Sequence, residues 1–180
     1  MTLAYQEYYT VKDYTLWEGE WELIDGMPYA MAPSPTVTHQ AVASNVTAQL
    51  SGKIQSNHSQ PCDDCIALME TDWQISNDTI VRPDVMLICK TIKEKVLVTP
   101  ELIVEVVSES STKRDELMKF ELYQQEGVLY YILAYPGQRL AKVYRNEATG
   151  FKKLGDYSTE TITFHLGECP IDISFAAIWR

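Results

Sequence analysis

Along this chain apolar residues recur at helical spacing in two stretches and run together or alternate in several others. From Thr36 the positions Val37, Ala41, Val42, Val46 and Leu50 predict an amphipathic helix reaching about Ile54. A second helix is predicted over Thr112 to Glu126, with Ser111 as N-cap and Gly127 as its C-terminal stop. Thr10-Val11-Lys12-Asp13 opens a short N-terminal helix ending near Gly19. Trp21 to Ile24, Asp25-Gly26 and Met27 to Met31 read as a β-hairpin, and Pro33-Ser34-Pro35 breaks the pattern after it. Further strands are expected at Ile66 to Met69, Trp73 to Ile75, Ile80 to Cys89, Leu102 to Val107 and Val128 to Leu133. Shorter ones follow at Leu140 to Tyr144, Phe151 to Leu154 and Thr161 to Phe164. Leu102 to Val107 is nearly all aliphatic, as suits a strand buried on both faces. This order predicts an α+β fold: one mixed central sheet flanked by helices, preceded by the N-terminal hairpin.

Two acids interrupt this pattern. Glu105 lies inside the aliphatic run, and Asp84 heads Val85-Met86-Leu87-Ile88-Cys89. A buried carboxylate costs several kcal/mol, roughly, unless it has a partner, so each is either half of an ion pair or part of a site. Strand alternation puts Glu105 on the face of Ile103 and Val107, and Asp84 on the face of Met86 and Ile88. If the two strands are neighbours, both carboxylates reach one spot. Asp115, Lys119 and Tyr123 form a stripe on the second helix, and Lys119 falls on a partly apolar arc of it. Asp115 and Lys119 alone would read as a surface pair. With two carboxylates beside it, Lys119 completes an inventory for phosphodiester hydrolysis: oxygen ligands for Mg²⁺ or Mn²⁺ and a cation beside the phosphorus.

Charge pulls the other way. The chain has 180 residues and a formal net charge of −10, which disfavours sequence-independent binding to a phosphate backbone. Lys90, Lys93 and Lys95, with Lys113 and Arg114, are the local basic edge available to phosphates, or else a solvated face. There is no run long enough to cross a bilayer and no secretory n-region before Tyr9, so the expectation is a single domain over residues 1–180 in the cytoplasm, with no membrane partner. The four cysteines, Cys62, Cys65, Cys89 and Cys169, do not suggest a disulfide scaffold in a chain of this length. Cys62 and Cys65 have CxxC spacing, half of a zinc pattern that only Cys169 or His165 would complete, or a plain loop. His58 and His165 read as polar loop and strand residues.

The order of these pieces resembles a known family. Trp21-Glu22-Leu23-Ile24-Asp25-Gly26, Pro33-Ser34-Pro35 with His39-Gln40, Arg82-Pro83-Asp84-Val85, and Leu102 to Ser108 are similar to the Uma-type restriction-endonuclease family, catalogued as a domain of unknown function. Asp115, Lys119, Tyr123 and Gly127-Val128 continue the match. Through it the chain resembles the PD-(D/E)XK nuclease superfamily. The resemblance implies a restriction-endonuclease-like core, Asp84 and Glu105 as metal ligands, and Lys119 as the catalytic lysine in place of the superfamily position held here by Val107. It also implies Glu22 as a further acid of the site and His39 as a family histidine. Glu109, Ile132 and Tyr135 depart from the family pattern.

The expected function is therefore a metal-dependent endonuclease hydrolysing DNA, with Asp84, Glu105, Lys119 and Glu22 as catalytic residues and Mg²⁺ or Mn²⁺ as cofactor. DNA is the expected partner and a homodimer an open option. Two alternatives stand: a non-catalytic relative acting as a binding or regulatory module, and a metal-dependent phosphoesterase on a small substrate.

Overall fold

The computed structural model describes residues 7–31, 35–56, 62–108 and 114–180, without the side chains of Arg114 and Asp115. Its elements in chain order are α1 (Val11–Tyr14), β1 (Trp21–Ile24), β2 (Met27–Ala30), α2 (Val37–Ser56), β3 (Cys65–Met69), β4 (Trp73–Gln74), β5 (Ile80–Val81), β6 (Val85–Cys89) and β7 (Leu102–Val106). A π-helical turn, Arg114–Met118, then leads into α3 (Lys119–Gln125), followed by β8 (Tyr130–Tyr135), β9 (Leu140–Glu147), β10 (Gly150–Tyr157), β11 (Thr161–Leu166), β12 (Cys169–Ser174) and α4 (Phe175–Ile178).

The described strands form the expected mixed central sheet and two smaller sheets, one of them built on the expected N-terminal hairpin. The main sheet has the order β10-β9-β8-β7-β6-β3, and all its neighbours are antiparallel except β7 and β8. That parallel step needs a crossover, which the π turn and α3 supply. β2-β1-β5-β4 form a second sheet, and β11-β12 a hairpin. The expected strand Ile80 to Cys89 is two strands in two sheets, divided at Arg82-Pro83. Proline has no N–H to give a ladder and disfavours helix in the residue before it, so the chain changes sheet there.

β7 is buried along its whole length. Leu102, Val104 and Val106 face Val42, Ala43, Val46 and Leu50 of α2, with β11, β12 and α4 closing that layer. Ile103 and Val107 face the opposite layer, which holds Trp73, Val81, Tyr123 and Tyr131. The second sheet and α3 thus cover the face on which Glu105 projects.

Local chemistry explains the ends. Asp13 accepts from both the backbone N and the hydroxyl of Thr10, so α1 is capped as expected, though it stops at Tyr14 rather than near Gly19. Asp25 and Gly26 both have positive φ, 51° and 75°, as the two-residue turn pairing Ile24 with Met27 requires. The expected N-cap Ser111, the turn residues around Glu109, Lys113, His58 and the Pro33-Ser34 break lie outside the described residues. β12 and α4, not anticipated from the pattern, complete the core with Ile171, Ile173, Phe175 and Ile178.

The cysteines correct another expectation. Cys62 is bonded to Cys169 and Cys65 to Cys89. Cys65 and Cys89 are direct cross-strand neighbours of β3 and β6, which places them in bonding range. The CxxC is therefore neither a zinc half-site nor a plain loop; its two members anchor two different elements.

Candidate active site at the ends of β6 and β7

β6 and β7 are antiparallel, with Val85 opposite Val104. Extending that register by one step brings Asp84 level with Glu105, so both side chains leave the sheet on one face. The hydrogen bonds are reciprocal. The Asp84 backbone N–H points at Glu105 Oε2 at 3.4 Å, and Asp84 Oδ2 accepts from the Val106 backbone N–H at 2.6 Å. His39, near the start of α2, brings its Nε2 within 3.2 Å of Asp84 Oδ2.

Lys119 arrives from the opposite layer. It is the first residue of α3 and only 3% exposed. Its Nζ lies 3.0 Å from Glu105 Oε1 and 2.8 Å from Glu22 Oε1. Glu22, in β1, is 0% exposed; its Oε1 also accepts from the Arg82 backbone N–H at 2.9 Å. The Tyr123 hydroxyl, one turn beyond Lys119, donates to Glu105 Oε1 at 2.8 Å. Burial pushes the Tyr123 phenol well above its ordinary range, and the charges of Glu105 and Glu22 push the same way. It therefore stays protonated and remains a donor.

All four residues expected at the site are thus at one junction: Glu105 and Glu22 from two strands, Asp84 from the residue just before β6, and Lys119 from the helix. Tyr123 is a fifth member whose role the helical stripe did not disclose, although the stripe contained it. Asp115, the surface partner considered for Lys119, has its side chain outside the described set. Lys90 pairs instead with Glu101 and the Thr99 carbonyl, away from this junction.

Charge at this junction is unbalanced. Three carboxylates meet one ammonium, leaving a formal excess of two negative charges when His39 is neutral. Among the described residues no group of three or more His, Cys, Asp or Glu side chains is arranged to enclose a metal. Magnesium does not need such a cage: it binds through one or two carboxylates and keeps water or substrate phosphate at its other positions. Asp84 and Glu105 offer hard oxygen donors, and the charge excess equals that of one divalent cation. The residues present therefore fit such an ion.

Beyond the junction lies a cleft of about 420 Å³ whose walls include Tyr14, Glu70, Asp72, Arg82 and Glu94. Arg82 binds Asp72 and Glu20, and Tyr14 donates to Asp72. Burial raises the Asp72 carboxyl, and burial together with the Asp72 charge lifts the Tyr14 phenol to about 12. The Arg82 guanidinium in this cleft is taken up by carboxylates, and Lys95 also lines the wall.

Residues 6–169 match the model of a family, Uma2, described as "Putative restriction endonuclease". No curated protein gives a significant match. Among solved structures the chain is similar to a crystal structure described as a putative nuclease belonging to DUF820 from Anabaena variabilis ATCC 29413. The TM-score is 0.73 at 15% identity, over 94% of this chain and 97% of that one. At that identity the likeness speaks for the fold.

Proposed function

The chain belongs to the Uma2 family of restriction-endonuclease-like proteins, and on that premise we propose that it is a metal-dependent endonuclease cutting DNA phosphodiester bonds. The observation that carries this reading is the buried ammonium of Lys119 between Glu22 and Glu105, beside Asp84. Pro83-Asp84, Glu105 and Lys119 then take the parts of a PD-(D/E)XK site, with the lysine coming from α3 instead of the position of Val107.

Asp84 and Glu105 would hold Mg²⁺ or Mn²⁺, which when bound polarises a phosphoryl oxygen and acidifies water. The residues of the chain do the rest. The Val106 N–H and His39 fix the Asp84 carboxylate, so its second oxygen has a set direction. Tyr123 and Lys119 fix Glu105 through the same oxygen, Oε1, which leaves Oε2 turned toward Asp84. Lys119 is poised to orient the attacking water and to stabilise charge developing on the phosphate. Glu22, sealed from solvent, holds the ammonium in that place.

Duplex DNA incubated with the protein and Mg²⁺ should be cut, with EDTA and Asp84→Asn each abolishing the cut. Intact DNA, with no heat of Mg²⁺ binding by calorimetry, would favour a non-catalytic member of the family. The net charge of −10 supports a second reading, a phosphoesterase acting on a small substrate. Turnover of a chromogenic phosphodiester without DNA cleavage would select it.

A further inference from the structure

The row of the main sheet that carries Asp84 and Glu105 does not end there. Glu105 is level with Leu133 of β8, and Leu133 is level with Lys142 of β9. Leu133 packs in the same layer as Tyr123 and Val107, so Glu105, Leu133 and Lys142 project from one face. Two strand spacings put the Lys142 backbone about 10 Å from that of Glu105. That is about three nucleotides along the axis of a duplex rising roughly 3.4 Å per nucleotide.

Lys142 is held ready at that distance. Its Nζ lies 4.4 Å from the centre of the Tyr135 ring and 3.3 Å from Glu116 Oε1, and its side chain is 31% exposed. Tyr135 donates its hydroxyl to the same Glu116 oxygen. Glu116 sits in the π-helical turn that precedes Lys119, so one short segment delivers Glu116 to Lys142 and Lys119 to Glu105. Such turns are frequent at functional sites because they re-aim side chains.

Resting on the nuclease reading above, we propose that Lys142 is a second phosphate-binding residue, taking a backbone phosphate that flanks the one at Glu105. Glu116 is its place-holder: in the free protein it neutralises Lys142, and on binding the DNA phosphate replaces it. Tyr135 retains Glu116 by its hydrogen bond when the lysine turns away. The exchange of one anion for another keeps Lys142 paired in both states. It also gives an acidic protein a cation that is released only where substrate docks.

The test is binding of a fluorescein-labelled duplex by anisotropy, in EDTA to prevent cleavage, over a range of salt. Lys142→Gln should weaken binding and reduce the slope of log affinity against log salt by about one, the share of a single phosphate contact. Lys142→Arg should restore the slope, and Glu116→Gln should tighten binding. Each variant is first checked by thermal melting. Should the parent bind while Lys142→Gln keeps its slope, or Glu116→Gln bind more weakly, the Lys142 assignment is overturned and the nuclease reading stands. Should the parent neither bind DNA under these conditions nor cut it when Mg²⁺ is supplied, both fall together.

Discussion

Replacing Lys119 by Met removes a cation that two buried carboxylates share. Glu22 is 0% exposed and Glu105 2%, so neither can turn to water for compensation. Of the donors described above, the Arg82 backbone N–H remains on Glu22, and the Tyr123 hydroxyl and the more distant Asp84 backbone N–H remain on Glu105. Breaking a buried ion pair by deleting one partner costs about 3–5 kcal/mol, because it strands the other charge. Here two charges are stranded, which puts the expectation at the upper end of that range, at about 5 kcal/mol. A domain has only about 5–15 kcal/mol in total, so the loss should be plain in urea unfolding followed by tryptophan fluorescence. Adding Glu22→Gln and Glu105→Gln to Lys119→Met should recover most of it, since neutral residues then need no counter-ion. A loss below about 1 kcal/mol for Lys119→Met, typical of a solvent-exposed pair, would refute the buried bridge.

Asp84→Asn should leave stability unchanged or improved, because the amide oxygen can still accept from the Val106 N–H while one repelling charge is gone; calorimetry should show divalent binding lost. Retained metal binding would assign Asp84 a structural role. The Tyr14 phenol, lifted to about 12, binds its proton more tightly in the folded state. Its contribution is whole below pH 10 and is lost as pH rises toward 12, so Tyr14→Phe should flatten alkaline unfolding over that window. An unchanged alkaline profile would show that Tyr14 is not perturbed. Opening the Cys62–Cys169 bond frees a loop spanning a sequence separation of 107 residues, worth roughly 4–5 kcal/mol by loop entropy. A reductant or Cys169→Ser should accordingly lower the melting temperature, and an unaltered melt would deny the bond a stabilising role.

Much of the site was legible because its residues break a local rule. Glu105 stands in an aliphatic strand, and Asp84 follows a proline that ends one strand and starts another. Those anomalies are visible in one dimension. That Lys119 turns inward was ambiguous, since an Asp115–Lys119 spacing is equally that of a surface pair; the burial of Glu22 beside it decides the matter, and no periodicity reports that. Lys142 was unreadable because its relation to Glu105 runs across two strand pairings, β7 with β8 and β8 with β9. The hairpin turn at Asp25-Gly26 was explicit, as its positive φ values demand those residue types. The division of Ile80 to Cys89 into two sheets was signalled by Pro83 but masked by apolar residues on both sides. The disulfides escaped because cross-strand register, not spacing in sequence, sets Cys65 against Cys89. Among the described residues no helix is long and apolar enough to cross a membrane.

The central claim is that Lys119, from α3, serves the chemistry of a metal site formed by Asp84 and Glu105. The direct measurement is the single-turnover rate of DNA cleavage by Lys119→Ala against the parent, both at saturating Mg²⁺. Circular dichroism must show the variant folded, and calorimetry must show its metal binding retained. The rate should fall by roughly 10²–10⁴-fold, the scale of a positioned acid–base or electrostatic group. Cleavage by Lys119→Ala at the parental rate would contradict the claim.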